Sequence, residues 1–445
     1  MSEKESATTH PLKKILGVGF GIAVVIGGTI GAGILRNPGE IAALVPNYWL
    51  VLACWLIGGL YVLLAAGSYA ELTTMMPKAG GAYNYIKRAF GDYAGFLSGW
   101  FDYFINGIAP AYFCIALSEY TLLLFPGLPL STTALAIAYL TSFAILHAPG
   151  IRIGSASQKI TSAIKVLLFI LLIVLCFVYG TEGKASGENS ALSVVGKSGF
   201  VIAFFKALQL ITGTYNGWMS VSFFAEEDKD PGRNIPRSYF IGALAVMSLY
   251  LLINAAILYI VPVSVAAKSP LVAADAAGVI FGRKGMVFLT LFAIFSLLSI
   301  LNAYMMIPAR ILFGLSRDSY FLRFGSYVNK GGTPIYALIL SYVFAVVLII
   351  NSSFEQLFGL GSFMLLVVTG LAYAAVIRLR QTEPETPRPY RAWGYPYSTI
   401  LTILATAGMF IGFSFSDPRS LVVIVILIVI SYPLYRLITR NAGRT

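Results

Sequence analysis

Charged residues are scarce in this chain of 445 residues. They make up 11% of it, against 58% hydrophobic residues, whereas an average soluble domain carries about 25% charged residues. This composition excludes a soluble globular protein. Since a helix needs about 20 apolar residues to cross a bilayer, roughly 37 residues per crossing and loop predict about twelve crossings. Little of the chain then remains for a separate water-soluble domain.

Histidine and cysteine are also few, with two histidines and three cysteines. His10 and His147 cannot build a histidine-rich metal site, and no HExxH motif occurs. Cys54, Cys114 and Cys176 lie far apart inside apolar runs, which favours neither a disulfide framework nor a metal knuckle. We therefore expect no metal and no cofactor. A membrane-embedded enzyme, which needs a catalytic cluster at depth, is disfavoured for the same reason.

Basic residues exceed acidic ones, 31 to 19, which gives a formal net charge of +12. In a soluble protein this excess would suggest a nucleic-acid partner. Here most of the basic residues lie in short loops between apolar runs, where they orient helices, and we expect no nucleic acid. The polar start, residues 1–14, lacks a signal-peptidase site and is predicted to be a cytosolic tail.

Twelve apolar runs of spanning length can be placed along the chain. They lie at about 15–36, 48–71, 92–119, 130–147, 158–180, 198–225, 238–262, 285–315, 334–351, 356–379, 398–415 and 419–437. An even number of crossings puts both termini on one side of the membrane. With the tail taken as cytosolic, most basic residues of the loops fall on the inner side. The positive-inside rule therefore predicts a multi-pass protein of the cell membrane with both termini in the cytoplasm.

The first and the sixth run are poor helix formers. They contain residues that loosen a helix, namely Gly27, Gly28, Gly31 and Gly33 in the first and Thr212, Gly213, Thr214, Asn216 and Gly217 in the sixth. Glycine costs about 1 kcal/mol in a helix interior relative to alanine. An opened backbone in hydrocarbon is tolerated only where it is buried in protein or lines a cavity. Both runs are therefore predicted to be broken helices, although close helix packing through small residues is the alternative.

The two unusual runs stand five helices apart. Because five is odd, the second copy enters from the opposite face, as in an inverted repeat. Helices 1–5 (15–180) then match helices 6–10 (198–379), and helices 11 and 12 (398–437) are additional, within one transporter domain. Interrupted segments at corresponding places in two halves are the best sequence pointer to the binding site of a transporter.

Short motifs carry a resemblance to a known family. Residues 28–34 (GTIGAGI) resemble the G-[ST]-[IV]-G-x-G-I signature in helix 1 of the amino acid, polyamine and organocation transporter superfamily. Residues 77–83 (PKAGGAY) and 234–237 (NIPR) are similar to loops of that superfamily. Residues 215–218 (YNGW), followed by the glutamate pair in 223–227 (FFAEE), are most similar to the L-type amino acid exchangers.

This resemblance implies an all-α, LeuT-like membrane fold of five plus five inverted-repeat helices and two more. It also implies a substrate site between the broken helices 1 and 6. Amides at the half-helix amino terminus would bind the carboxylate of an amino acid, and free carbonyls would receive its ammonium group. The predicted substrate-binding residues are Thr29, Ile30, Gly31, Ala32, Gly33, Ile211, Thr212, Gly213, Tyr215 and Asn216.

Gly213 departs from the family pattern. It aligns with a position where many relatives carry a bulky aromatic gate. Either Tyr215 or Trp218 takes over the gating, or the pocket is roomier there. Alternatively, both aromatic residues simply pack between helices. Asn216, where relatives often carry glycine, would place an amide close to the substrate.

Lys165 lies about seven residues into helix 5, where charged residues are rare and usually functional. The alternative is a lysine that snorkels to the headgroups. Residues 162–165 (SAIK) are similar to the helix 5 segment in which sodium-independent members place a lysine. The resemblance implies that its amine stands where sodium-coupled relatives bind a second sodium ion. Lys165 is therefore predicted to act in coupling, in place of sodium and as a possible proton carrier.

Other polar residues within the runs leave alternatives open. Asp102 is a proton site, a partner for a basic group, or a residue of a water-filled vestibule. Asn302 faces the pocket or bonds a neighbouring helix. Glu119 and Lys206 lie near outer helix ends, where solvation and snorkelling suffice. The charged run 226–237 is a solvated loop or an element of an inner gate.

These observations predict a secondary transporter that moves a neutral L-amino acid by alternating access, as a sodium-independent exchanger or a proton symporter. The alternatives are a cationic amino acid or polyamine carrier, with Asp102 or Glu119 as counter-charge, and a channel or non-transporting sensor. The expected partners are the substrate, the bilayer, and a proton or counter-substrate. No cysteine falls in an outer loop, so we expect a monomer or weak oligomer without a disulfide-linked subunit.

Overall fold

The computed structural model describes residues 12–180, 197–269, 271–352 and 354–442. Most of the predicted cytosolic tail, with His10, lies outside these ranges. Within them the chain is helical, and the β-structure consists of an isolated bridge between Leu16 and Asp228. The prediction of an all-α protein is therefore confirmed for the part of the chain that is described.

The first half of the chain forms seven helices in the described ranges. They are α1 (Val18–Thr29), α2 (Ala32–Leu44), α3 (Tyr48–Met75), α4 (Tyr83–Phe90), α5 (Asp92–Leu124), α6 (Thr132–His147) and α7 (Ile151–Tyr179). Two of them begin at a capping side chain. Asn47 accepts a hydrogen bond from the Leu50 amide at 3.0 Å, and Ser131 accepts one from the Ala134 amide at 3.1 Å. Such caps satisfy amides that have no partner in the first turn of a helix.

The second half of the chain contains nine α-helices and two 3-10 segments in the described ranges. Its elements are α8 (Lys197–Tyr215), a 3-10 helix (Trp218–Glu227), α9 (Pro231–Ile260), α10 (Val263–Ala266), α11 (Val272–Phe281), α12 (Arg283–Arg317), a short 3-10 turn (Arg323–Ser326), α13 (Ile335–Asn351), α14 (Phe354–Thr382), α15 (Tyr397–Ser416) and α16 (Pro418–Ala442). Pro231 at the first position of α9 suits a helix start because proline lacks the amide that would be unpaired there.

Eight helices of the described ranges are long and apolar enough to cross a bilayer, namely α3, α5, α7, α9, α12, α14, α15 and α16. The remaining predicted runs correspond to α1 with α2, to α6, to α8 with the 3-10 helix, and to α13. The chain is thus a multi-pass membrane protein, and the number of twelve crossings stays a prediction. Helices α4, α10 and α11 lie in loops and were not predicted.

Four pairs of helices that the predicted repeat would relate pack against each other. Helix α2 contacts α8, α3 contacts α9, α5 contacts α12, and α6 contacts α13. Helices α5 and α12 are largely buried, whereas α7, α15 and α16 expose apolar side chains along much of their length. In a bilayer these exposed side chains contact lipid, so their exposure needs no protein partner. The two broken runs meet inside this bundle.

Candidate functional site

The first predicted break lies at Ile30 and Gly31. Helix α1 ends at Thr29, Ile30 is extended with φ −76° and ψ 102°, and α2 begins at Ala32 after Gly31. The backbone amides at the start of α2, at Gly31, Ala32 and Gly33, therefore belong to a helix amino terminus. Such a terminus carries unpaired amides and a positive dipole end.

The second break lies at Asn216 and Gly217, after the end of α8 at Tyr215. Gly217 has φ +111° and ψ −16°, a left-handed conformation that glycine adopts without steric cost. A Cβ atom at this position would also lie 2.2 Å from the carbonyl oxygen of Gly28. Gly217 therefore makes the turn and at the same time lets the second break approach α1 closely.

This second break lies later in the chain than the glycine pattern indicates. Ile211, Thr212 and Gly213 are part of α8, whose last turn is closed by a 3.2 Å hydrogen bond from the Asn216 amide to the Gly213 carbonyl. A Cβ atom at Gly213 would lie 2.3 Å from the Ser362 hydroxyl of α14. The position that aligns with the aromatic gate of relatives thus packs against α14.

The three predicted residues of α8 face its neighbours. A Cβ atom at Gly58 of α3 would lie 2.4 Å from Ile211, and the Thr212 hydroxyl points at the sulfur of Met409 at 3.6 Å. The Ile211 carbonyl lies a full turn before the end of α8 and is used within the helix, whereas the Thr212 carbonyl belongs to the last turn, where intrahelical partners are lacking. The assignment of both residues to the substrate stays a prediction, and the position of Ile211 does not favour it.

Tyr215 and Trp218 pack in the interior of the bundle. The Tyr215 hydroxyl donates to the Trp55 carbonyl at 3.2 Å, and its ring lies 4.9 Å from that of Tyr250. Trp218 packs edge-on against Tyr69, with a centroid distance of 5.1 Å. The alternative of interhelical packing therefore describes both residues in this conformation. Asn216 is half-buried at the break itself.

Tyr250 of α9 joins the two breaks, although nothing in its apolar run distinguishes it from other aromatic residues. Its hydroxyl lies 2.8 Å from the carbonyl oxygen of Thr29 and 3.2 Å from that of Thr214. The last turns of α1 and α8 thus direct one carbonyl each to the same point. Tyr250 is fully buried, and its hydroxyl is the partner that the two carbonyls share.

On one side of the breaks, α2 and α8 are held together by Asn37 and Thr214. The Asn37 amide group donates to the Thr214 hydroxyl at 2.6 Å. A Cβ atom at Gly33 would lie 2.7 Å from the same hydroxyl, so the two helices are in close contact. Next to this contact a cavity of about 670 Å³ is lined by Asn37, Glu40, Lys206, Gln209, Phe358, Asp417 and other residues.

Lys165 of α7 reaches the first break. Its side chain is 0% exposed, which contradicts snorkelling, and its amine donates to the carbonyl of Gly27 at 3.2 Å and to that of Ile30. The predicted link between helix 5 and the helix 1 break is therefore present. Gln158 and Ser162 extend the contact: the Ser162 hydroxyl donates to the Ala23 carbonyl at 2.8 Å.

Asn302 of α12 completes this group of polar side chains. Its amide donates to the side-chain oxygen of Gln158 at 2.7 Å, so it bonds a neighbouring helix, as one of the two alternatives held. Gln158, in turn, donates to Ser162 at 3.0 Å. A Cβ atom at Gly27 would lie 1.9 Å from the Gln158 amide nitrogen, so α1 can approach α7 only through a glycine there.

Ion pairs join the end of the 3-10 helix to α12. Glu227 and Arg310 form a buried pair at 2.6 Å, and Glu226 pairs with Arg317 at 2.9 Å. The backbone of Leu16 also pairs with the chain on either side of Asp228, at 3.0 and 3.1 Å. The first residues of the charged run 226–237 are thus bound to α12 and to the start of the chain.

The whole chain can now be compared with known proteins. Residues 21–432 match the model of a family described as amino acid permease. The chain belongs to the amino acid permease family. This confirms the resemblance to the amino acid, polyamine and organocation superfamily that the motifs in 28–34 and 234–237 indicate.

Several characterised proteins are similar to this permease over most of its length. The b(0,+)-type amino acid transporter 1 of Mus musculus is 28% identical over 398 residues, which cover 86% of this chain and 79% of the mouse protein. The serine/threonine exchanger SteT of Bacillus subtilis is 28% identical over 411 residues, 90% of each chain. The large neutral amino acids transporter small subunit 2 of Homo sapiens is 28% identical over 407 residues, 85% of this chain and 72% of the human protein.

These relatives are transporters of amino acids, and none of the three names describes an enzyme. The permease is therefore an amino acid transport protein with a resemblance to L-type exchangers, as residues 215–218 and the Glu226–Glu227 pair predict. The same relatives and the family support a small-molecule substrate and a membrane environment for this permease.

Proposed function

We propose that this permease exchanges neutral L-amino acids across the membrane without sodium, by alternating access at the two helix breaks. The observation that carries the proposal is the amine of Lys165, which binds the carbonyls of Gly27 and Ile30 at the first break. The amine thus occupies the backbone acceptors at this break that a bound cation would need.

The amine of Lys165 argues against sodium coupling. A sodium ion that linked α7 to the first break would need the same carbonyl oxygens that Lys165 occupies. Two unit charges 4 Å apart repel by about 4 kcal/mol at an effective dielectric constant of 20. The ammonium group thus replaces the ion as the link between the two helices.

An amino acid backbone fits the two breaks. The amides of Gly31, Ala32 and Gly33 begin α2 and would bind a carboxylate at the positive end of that helix. The carbonyls of Thr29 and Thr214 converge on Tyr250 and are acceptors of the kind an ammonium group needs. Asn216, at the second break, is inferred to contact the substrate.

A neutral substrate is favoured by the positions of the two acids considered as counter-charges. Glu119 is exposed towards the far end of α5. Asp102 lies eleven residues before Phe113, whose ring lies 3.4 Å from a Cβ built at Gly31, and this corresponds to about 16 Å along the helix. A cationic side chain bound at the break would reach neither carboxylate, which counts against a cationic amino acid or polyamine.

The packing of corresponding helices supports an inverted repeat of residues 15–180 and 198–379, with α15 and α16 as additional helices. In this arrangement the ion pairs of Glu226 and Glu227 lie on the cytosolic side, with both termini. The cavity beside Asn37 then opens to the outside. Alternating access then consists of breaking the cytosolic pairs while the contact between α2 and α8 is closed, and of opening that contact while the pairs are formed.

The test is uptake of labelled amino acids into proteoliposomes. A panel of L-serine, L-leucine and L-lysine is offered to vesicles that contain or lack the same unlabelled amino acid. We expect uptake of the neutral members only, and at least tenfold faster with internal substrate. Uptake of L-lysine alone would favour the cationic alternative. Binding of an amino acid without uptake in either kind of vesicle would identify a sensor and contradict the proposal.

A further inference from the structure

Asp102 is a buried carboxylic acid that the site described above does not use. It lies in α5 with 0% of its surface exposed. Within the described part of the chain neither carboxyl oxygen has a hydrogen-bond partner. The Ala82 amide is directed towards the carboxyl but remains outside hydrogen-bond geometry. An acid in this environment calls for an explanation, since buried polar groups are almost always paired.

No ion pair between Asp102 and a basic side chain is formed in the described ranges. Four buried phenols, contributed by α3, α4, α9 and α12, lie within electrostatic range of its carboxyl, namely Tyr69, Tyr85, Tyr239 and Tyr304. Arg310, six residues after Tyr304 in α12, is bound to Glu227. An isolated carboxylate without a cation or donors is costly to bury, and such a group binds a proton instead. Asp102 is therefore expected to be a neutral acid in this conformation.

One wall of this environment belongs to the 3-10 helix that ends in the cytosolic ion pairs. A Cβ atom built at Gly81 would lie 3.4 Å from an oxygen of Asp102 and 2.3 Å from the ring of Phe223. Phe223 lies between the second break, at Gly217, and Glu227. Displacement of this helix from α12 would remove Phe223 and admit water to the carboxyl.

The geometry points to Asp102 as a proton-binding site of the transport cycle, which takes up a proton from water as the cytosolic side closes and releases it to the cytosol when the 3-10 helix Trp218–Glu227 moves away. In the second step the O–H bond of the carboxylic acid breaks, the proton passes to water, and a solvated carboxylate remains. The inference deepens the proposed function and rests on it, because it needs the cytosolic side to open during exchange. Acidic conditions then favour the closed state.

The pH dependence of exchange tests this inference. Proteoliposomes exchange labelled for unlabelled amino acid, with the fastest substrate of the panel, at equal pH on both sides from 8 to 5 without sodium. A tenfold higher proton affinity in the closed state would slow wild-type exchange about tenfold across this range. Asp102→Asn should be slow at every pH, and Asp102→Glu should keep the slope. Asp92→Asn is the matched control, since Asp92 begins the same helix with its side chain 62% exposed, and it should keep the wild-type profile.

A second measurement does not depend on transport. The infrared C=O band of a protonated carboxylic acid should be present in the purified wild-type protein and weaker in Asp102→Asn. A wild-type exchange rate independent of pH, or a pH slope kept in Asp102→Asn, would overturn the inference and leave the proposed exchange intact. An unchanged carboxylic acid band in Asp102→Asn would overturn it as well. Absence of any uptake by the wild type would instead contradict the proposed function, and the infrared band would still decide whether Asp102 holds a proton.

Discussion

At the scale of single residues, the two breaks depend on groups that satisfy opened backbone. The Tyr250 hydroxyl is the hydrogen-bond donor for the carbonyls of Thr29 and Thr214. The Lys165 amine is the donor for those of Gly27 and Ile30. Each of these carbonyls would otherwise be buried without a partner, at about 1–3 kcal/mol. Lys165 could be predicted because a lysine is conspicuous in an apolar run. Tyr250 could not, because a tyrosine in such a run resembles any core aromatic residue.

The Tyr250 hydroxyl can be removed with little change in shape. In Tyr250→Phe the ring still packs between Trp55 and Tyr215, but two carbonyls lose their donor. We expect the variant to reach the membrane at wild-type levels and to exchange amino acids roughly five- to a hundredfold more slowly, which corresponds to a cost of about 1–3 kcal/mol. Initial exchange rates in proteoliposomes measure this.

The matched control for this change is Tyr61→Phe. Tyr61 is also buried, but its hydroxyl bonds side chains of other helices, including the Thr406 hydroxyl at 2.9 Å, and not the carbonyls of Thr29 and Thr214. Its exchange rate should stay within about twofold of the wild type. Equal rates for Tyr250→Phe and the wild type would mean that the hydroxyl has no part in holding the breaks together.

At the scale of elements, α3 is fixed to the end of α14 by one buried carboxylate. Glu71 accepts hydrogen bonds from Arg380 at 2.8 and 2.6 Å and from the Ala392 amide at 2.6 Å. Arg388 lies 3.3 Å from the same carboxylate and is itself buried. Helix α3, α14 and the connection to α15 therefore meet at Glu71. Glu383, three residues after Arg380, forms a surface pair with Arg88 at 2.7 Å. The hydrogen bond from Arg88 lowers the pKa of Glu383.

Neutralising Glu71 should destabilise the protein strongly. Glu71→Gln leaves Arg388 buried without its counter-charge, and breaking a buried pair costs about 3–5 kcal/mol. We expect a melting temperature well below that of the wild type in detergent. The matched variant is Glu383→Gln, whose partner is a surface arginine, because such pairs contribute about 0–1 kcal/mol. If both variants had the same melting temperature, the cluster around Glu71 would not hold these helices in place.

The elements differ in how well the sequence predicts them. Runs such as 48–71 and 92–119 coincide with α3 and α5 because long apolar stretches indicate membrane-spanning helices. The short helices α4, α10 and α11 escape notice since they lie in loops and need no spanning length. The second break was expected from Thr212 onwards. It begins at Asn216 because α8 continues for one more turn and tolerates Gly213 where it packs on α14.

At the scale of the whole molecule, the order of motifs predicts the family, but it does not predict the long-range contacts around Glu226 and Glu227. Glu227 and Arg310 are 83 residues apart, and Leu16 pairs with the chain beside Asp228. Such contacts depend on how the two halves pack. Residues 226–237 therefore left two alternatives open from sequence. The structure pairs Glu226 and Glu227 with α12, so these two residues are not simply solvated.

The central claim is that a fixed ammonium group takes the place of sodium at the first break. The measurement that tests it most directly is amino acid exchange in proteoliposomes loaded with substrate, with external sodium replaced by choline, for the wild type and for Lys165→Ala. We predict equal wild-type rates in both solutions and at least a tenfold loss in Lys165→Ala, since the carbonyls of Gly27 and Ile30 lose their partner. Wild-type exchange that requires sodium, or that persists unchanged in Lys165→Ala, would contradict the account.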